Sequence, residues 1–238
     1  MAIYHFHVCV ISRAGERTVV AAVAYRLGEK LILTDPVSAA AYRSGEQLQN
    51  RRDGITYDYT RKQGVAYSEI MLPENAPREF YHRVILWNSV EISEKRKDAQ
   101  MARDIDVALP KELSRKEQIE IMREFIQKNF IDKGMIADFA IHDKGDGNPH
   151  AHIMLTMRNV DENGFGKKNR DWNKVELFKE WRENWAKTCN EKLQIKRLDE
   201  RIDHRTLEAQ GIDREPKSIT SAGVGRGFDS TVPRRARN

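Results

Sequence analysis

The sequence predicts an α+β fold, and three observations predict it. Short segments that alternate apolar and polar residues, such as Asp104 to Leu109, are interleaved with segments whose apolar residues recur at helical spacing, such as Arg78 to Met101. Two strand-like segments, Met135 to His142 and His150 to Arg158, are joined by the turn-rich link Asp143 to Pro149, the arrangement of a hairpin. A hydrophobic content of 39% with four Trp supports a folded core, while 32% charged residues give it a wet surface. At 238 residues the expectation is one domain with a tail.

The elements follow in order. Ile3 to Ile11 is β-branched and aromatic and reads as a first strand, ended by the turn Ser12 to Gly15. Residues 17 to 31 read as a helix carrying Val20, Ala24, Leu27 and Leu31 on one stripe, and Asp35-Pro36 breaks it. Residues 39 to 48, AAAYRSGEQL, then repeat residues 22 to 31, AVAYRLGEKL, with seven of ten positions identical. The duplication presents Tyr25 and Tyr42 in nearly the same local context. Residues 49 to 64 read as an exposed basic loop, and Ala66 to Leu72 as a strand stopped by Pro73. Arg78 to about Met101 reads as one long helix. Asp104 to Leu109 follows as a strand with Ile105, Val107 and Leu109 on its apolar face. Ser114 with Glu117 is a capping box for a helix to about Lys133, with Gly134 as its C-cap. After the hairpin, Asp161 to Asn169 reads as a loop and Trp172 to about Gln194 as a helix. The expected domain is 1 to 216, and the Gly-, Ser- and Arg-rich stretch 217 to 238 is expected to be a basic flexible tail.

No apolar run approaches the ~20 residues that span a bilayer, and the N-terminus lacks signal-peptide features, so a cytoplasmic protein without membrane insertion is expected. Cys9 and Cys189 lie far apart without metal-type spacing, and Cys9 sits in an apolar run as a core residue would. A net charge of +5 favours a polyanionic partner without naming it.

The chemistry concentrates in three histidines. In a strand His150 and His152 project to one face while Ala151 and Ile153 fill the other. By the same parity His142 shares a face with Asp138 and Ala140, and the hairpin can bring it beside His150. Three neutral imidazoles then converge on one divalent ion and leave positions open, as a catalytic metal requires. The plainer alternative is a solvated sheet face that merely carries histidines. Imidazole ligands suit Mn²⁺, Zn²⁺, Ni²⁺ or Co²⁺, and suit Mg²⁺ when water and substrate oxygens complete its shell. The expected working ion is Mg²⁺ or Mn²⁺, with Zn²⁺, Ni²⁺ or Co²⁺ as further occupants. No serine elbow or Walker loop competes with this site. A tyrosine nucleophile, with a phenol pKa near 10, would need a base or a cation beside it. Asp104 and Asp106 are candidate bases, or simply solvent-facing acids on an amphipathic strand.

The motifs MAIYHFHVCVISR, AAVAYR, DYTRK (58 to 62), SEIMLP (68 to 73), KRKDAQMAR (95 to 103), IHDKGDGNPHAHIML (141 to 155) and RIDHRTLEAQGI (201 to 212) stand in an order that resembles the relaxase domain of MobA/MobL-type mobilisation proteins, over roughly residues 1 to 216. The resemblance implies the HUH endonuclease superfamily: an RRM-like central antiparallel sheet flanked by helices, and a histidine triad holding a divalent metal. It also implies a tyrosine that attacks a phosphodiester of origin-of-transfer DNA, forming a 5′-phosphotyrosyl link and a free 3′-OH in a reversible transesterification. The implied partners are that DNA, single-stranded near the nick, with accessory relaxosome proteins and a coupling protein. By this resemblance His142, His150 and His152 match the triad. Asp104 matches the acidic base or orienter, where glutamate is more usual, and Asp106 is its alternative. Tyr25 matches the nucleophile when counted from the N-terminus, and Tyr42 when counted back from Asp58-Tyr59-Thr60. Tyr25 is preferred because it follows the first strand through a short turn. The stretch after Pro216 departs from the family.

Candidate DNA contacts are Arg26, beside Tyr25, the loop cations Arg51, Arg52, Arg61 and Lys62 with Tyr57 and Tyr59 between them, and Lys167, Lys168 and Arg170. Two other functions stay open: a metal hydrolase that activates water, and a DNA-binding module without catalysis.

Overall fold

The structure is a computed structural model that describes residues 4–13, 35–206 and 208–211. Residues 17 to 31 and 217 to 238, with the helix and the tail expected there, lie outside the described residues. The chain divides into a unit ending at His204 and a stretch from Arg205 onward. In the latter, the Gln210 N–H donates to Thr206 O at 3.0 Å in a turn.

The first unit is built on a five-stranded antiparallel sheet of β1 (Phe6–Ser12), β4 (Val65–Met71), β5 (Gln100–Ala108), β6 (Ala137–His142) and β7 (His150–Thr156), in the order β1-β5-β7-β6-β4. Helices α1 (Pro36–Ser44), α2 (Arg83–Ser93), α3 (Arg115–Asn129) and α4 (Val175–Ile195) flank it, so the α+β class holds. Two ribbons stand apart from the sheet: β2 (Gln47–Gln49) with β3 (Thr56–Asp58), and β8 (Arg158–Asp161) with β9 (Gly164–Lys168).

Register decides what each face carries. Asp106 stands opposite His152, Asp104 opposite Met154, and His142 opposite His150. Directly opposed residues share a face, so Asp104, Asp106, Asp138 and the three histidines all project together. The other face, with Ile105, Val107, Phe139, Ile141 and Ile153, packs under α3 and α4, where Phe125 meets Trp185 edge-on at 5.1 Å. The capping box at Ser114 and Glu117 forms as the sequence predicts and sets the start of α3.

The histidine-bearing face is covered as well. Val37, Ala39 and Ala41 of α1 and Leu86 and Trp87 of α2 join Ile11, Ala102 and Met154 in a second core. Small residues on α1 let the helix approach closely, which is why an Ala-rich helix sits here.

Several boundaries differ from the sequence reading. Asp35-Pro36 starts a helix: the Asp35 carboxylate accepts from the N–H groups of Val37 and Ser38, and Pro36 occupies the first turn where no donor is needed. The long helix expected from Arg78 is a 3-10 turn (Arg78–Tyr81) followed by α2, and the chain is already strand by Gln100, because β5 extends its pairing with β1 as far as Ser12. The two expected loops, 49 to 64 and 161 to 169, each contribute to a short hairpin, with Gly54 at positive φ in the first turn and Gly164 at positive φ where β9 begins.

Candidate functional site

His142 closes β6, while His150 and His152 are two residues apart on β7, the middle strand of the sheet. Their ring centroids lie 5.1 to 5.4 Å apart, and one ligand nitrogen from each falls within 4.8 Å of the others. Nitrogens on one ion at ~2.1 Å stand roughly 3 to 4 Å apart, so a small inward movement of the rings completes such a set.

Tautomers are fixed by carbonyl partners, which can only accept. The His142 Nε2–H donates to Arg43 O at 2.7 Å, which leaves Nδ1 for a ligand. The His150 Nδ1–H donates to Asn148 O at 3.0 Å, leaving Nε2. His152 Nδ1 is buried with no hydrogen-bond partner among the described residues. Burial pushes His142 down to about 3, against a contrary pull from the Arg43 carbonyl, and pushes His152 down to about 4. Both are therefore neutral at physiological pH, the state a ligand needs. The three can hold a metal ion.

α1 meets this cluster through consecutive residues. Arg43, buried, pairs with Asp104 at 2.6 Å, while its carbonyl accepts from His142. Tyr42 is half-buried and packs edge-on against Tyr59 at a centroid distance of 5.2 Å. Lys62 joins the two groups: its Nζ lies 3.6 Å from the centre of the Tyr42 ring, donates to Tyr42 O at 2.7 Å and stands 3.5 Å from His142 Nε2. Those contacts put the Tyr42 ring centre no more than about 7 Å from His142 Nε2. Burial, with Arg43 and Lys144 nearby, pushes the Lys62 amine down to about 7.

The two candidate acids are placed differently. Asp104 is buried and committed to Arg43, with Cys9 Sγ 3.8 Å from the same oxygen. Asp106 faces the triad across from His152 and lies 3.7 Å from His5 Nε2. Burial alone would raise Asp106, but the hydrogen bond from His5, with the neighbouring imidazoles, holds it down to about 2. His5 was not among the residues singled out from the sequence; it immediately precedes β1, and its carbonyl accepts from the Ala108 N–H at 3.2 Å. Tyr25 and Arg26 lie outside the described residues. Arg43, the counterpart of Arg26 in the repeat, is an anchor for Asp104 rather than an open cation.

Of the other cations, Arg51, Arg61, Lys167 and Arg170 are exposed. Arg52 instead pairs with buried Glu91 at 2.8 Å. Lys168 pairs with Glu94 at 3.1 Å and donates to Gln100 O at 2.5 Å, so both are fastened to acids at the end of α2.

Comparison with known proteins agrees with this architecture. The chain is 36% identical to the conjugal transfer protein TraA of Agrobacterium fabrum, over 94% of this chain and 22% of that protein. It is 33% identical to a probable mobilization protein MobA of Bifidobacterium longum, over 91% of this chain and 42% of the relative. It is 30% identical to mobilization protein MobL of Acidithiobacillus ferridurans, over 95% and 64%. The chain thus spans only about a fifth of the TraA protein's length. A chain solved in work on the molecular basis of vancomycin resistance transfer in Staphylococcus aureus superposes with a TM-score of 0.74 at 32% identity, over 86% of this chain and all of that one. The model of the MobA/MobL family matches residues 34–224, a span that includes Tyr42 and all three histidines and leaves Tyr25 outside. On that match, and on its likeness to these mobilisation and conjugal transfer proteins, the chain belongs to the MobA/MobL family.

Proposed function

We propose that this chain is a relaxase that nicks one strand of origin-of-transfer DNA by tyrosine transesterification, with Tyr42 as nucleophile. The observation that carries the reading is Lys62, which touches both the Tyr42 ring and His142 and so ties a tyrosine to a triad of neutral imidazoles. The Tyr42 phenol oxygen bonds to phosphorus as the bond to the 3′-oxygen breaks. The phenol proton leaves to solvent, and the departing oxygen takes a proton from solvent to become a free 3′-OH. His142, His150 and His152 would hold a divalent ion, Mg²⁺ or Mn²⁺ in function, which polarises the phosphate when bound. Lys62 supports the developing phenolate. Asp104 positions Arg43 and, through the Arg43 carbonyl, His142. Asp106 orients the triad from the neighbouring strand. Arg51 and Arg61 line the approach of the DNA, and the relaxosome and coupling proteins expected from the family would deliver it.

Tyr25 is the second reading, and one observation favours it. The buried or contact-making residues Val37, Ala39, Ala41, Arg43, Gly45, Glu46 and Leu48 recur identically 17 residues earlier as Val20, Ala22, Ala24, Arg26, Gly28, Glu29 and Leu31.

The test uses single-stranded oligonucleotides tiled across the DNA flanking the coding sequence of this chain, incubated with protein and Mn²⁺ and run on a denaturing gel. A covalent band that disappears in Tyr42→Phe is expected. Trypsin releases Tyr25 in residues 18 to 26 and Tyr42 in residues 31 to 43, so mapping the modified peptide identifies the nucleophile. Cleavage without any covalent band would make the protein a hydrolase. Binding without cleavage would make it a DNA-binding module.

A further inference from the structure

Behind α1 the chain turns directly into the β2–β3 ribbon, and one face of that ribbon is polar. Register pairs Gln47 with Asp58 and Gln49 with Thr56, so these four side chains share a face while Leu48 and Tyr57 share the other. Leu48 is buried against the second core, which fixes the ribbon's orientation, and Gln47, Gln49 and Thr56 are exposed. Facing them across an open cleft of about 590 Å³ are Tyr81, His82 and Arg83, where the 3-10 turn meets α2.

The chemistry of this cleft is specific. Its permanently charged residues, Glu46 and Arg83, pair with each other, and Arg83 also holds Asp138 at 2.8 Å, which leaves exposed His82 as the one ionisable lining residue outside that network. The other lining side chains bear no charge. The Gln47 amide presents a donor and an acceptor, the Gln49 amide donates to Gly54 O at 3.4 Å and keeps its oxygen and second N–H, Thr56 presents a hydroxyl, and the Tyr81 ring, 58% exposed, presents a flat apolar surface. A π-face bordered by paired donors and acceptors matches an unstacked nucleobase, whose face stacks and whose edge hydrogen-bonds. Charge suited to a backbone lies outside the cleft, on exposed Arg51 in the ribbon's turn and exposed Arg61 beyond β3. The cleft is also close in sequence to the proposed nucleophile, since its wall begins at Glu46, four residues after Tyr42 and just past the end of α1.

We propose that this cleft receives one base of the single strand that Tyr42 attacks, stacked on Tyr81 and read at its edge by Gln47 and Gln49. The assignment rests on the relaxase reading. It adds a site of sequence discrimination held apart from the metal triad.

The test is an abasic scan. An oligonucleotide that forms the covalent band is remade with a single abasic nucleotide at each position, and its affinity for intact protein is measured in chelator, where cleavage is prevented. Tyr81→Ala is expected to weaken binding of the unmodified strand roughly ten-fold. At one position the abasic substitution should cost wild type a similar factor and cost Tyr81→Ala little. Tyr81→Phe should bind as wild type does, and Gln49→Ala should flatten base preference at that same position. Parallel abasic profiles for wild type and Tyr81→Ala overturn the cleft assignment, as does an equal loss of binding to a fully duplex hairpin. If wild type gives a covalent band and the profiles are parallel, the cleft alone fails. If wild type binds no single strand and gives no band, the relaxase reading fails with it.

Discussion

Arg43 and Asp104 form a buried ion pair at 2.6 Å that joins the tyrosine helix to the sheet carrying the triad, and the Arg43 carbonyl accepts from His142 in the same stroke. Removing one partner strands the other in the second core. Arg43→Met should therefore cost about 3 to 5 kcal/mol, while the double variant Arg43→Met with Asp104→Leu should recover most of that loss. Urea unfolding of the three proteins checks this, and a single-variant cost below about 1 kcal/mol would show that the pair is not what fastens the helix.

In chelator-treated protein, stability should fall as pH drops from about 6.5 toward 4. His142 and His152 have folded values of about 3 and 4, below the usual histidine value, so an unfolded chain takes up protons that the fold refuses. By about pH 8 neither state is protonated and the two histidines contribute no slope. Each histidine can contribute up to about 1.4 kcal/mol per pH unit within that window. Asp106, held near about 2, adds a further loss of the same sign only below about 4. Urea midpoints measured from pH 8 to 4.5 read the slope; a flat profile between pH 7 and 5 contradicts it.

Saturating Mn²⁺ should raise thermal stability, by about 2.7 kcal/mol when the ion is at a hundred times its dissociation constant. His152→Ala should lose that response. A shift of equal size in His152→Ala would place the ion elsewhere.

Gly45 caps α1 at φ +71°, and a Cβ there would stand 3.2 Å from Val65 Cγ2. Gly45→Ala should cost about 1 to 2 kcal/mol through left-handed strain plus the crowded neighbour. Gly54, at φ +74° in open space, supplies the comparison, and Gly54→Ala should cost less. Because Gly45 sets the end of the turn that bears Tyr42, its substitution should also slow formation of the covalent band. Equal stabilities and rates for wild type and Gly45→Ala would contradict both effects.

Strand parity made the triad legible, because the period of two is rigid and the hairpin link is short. His142, His150 and His152 share a face in the structure as their positions in the sequence require. The capping box was equally plain, since it is a local pattern of Ser114 and Glu117. Less local facts were harder to read. Alternation in β5 marks Asp104 as facing away from Ile105, but only the packing of α1 shows that this second face is also buried. Basic residues 51 to 62 look alike in sequence. In space Arg52 answers Glu91, Lys62 lies against Tyr42, and Arg51 and Arg61 are exposed. Arg103 gave no signal either: it alternates into the apolar face of β5, where it packs on Phe178 and Trp181 and donates to Asn173 at 2.6 Å.

β7 carries two of the three histidines and is the strand with two neighbours on either side. Opening of the outer ribbons or of either edge strand leaves its ladders intact. Amide exchange along His150–Thr156 should accordingly proceed only through global unfolding, far more slowly than at the β2–β3 rim. The imidazoles then form a fixed reference point, and under the proposed function any rearrangement that admits or releases a strand falls to the surrounding elements.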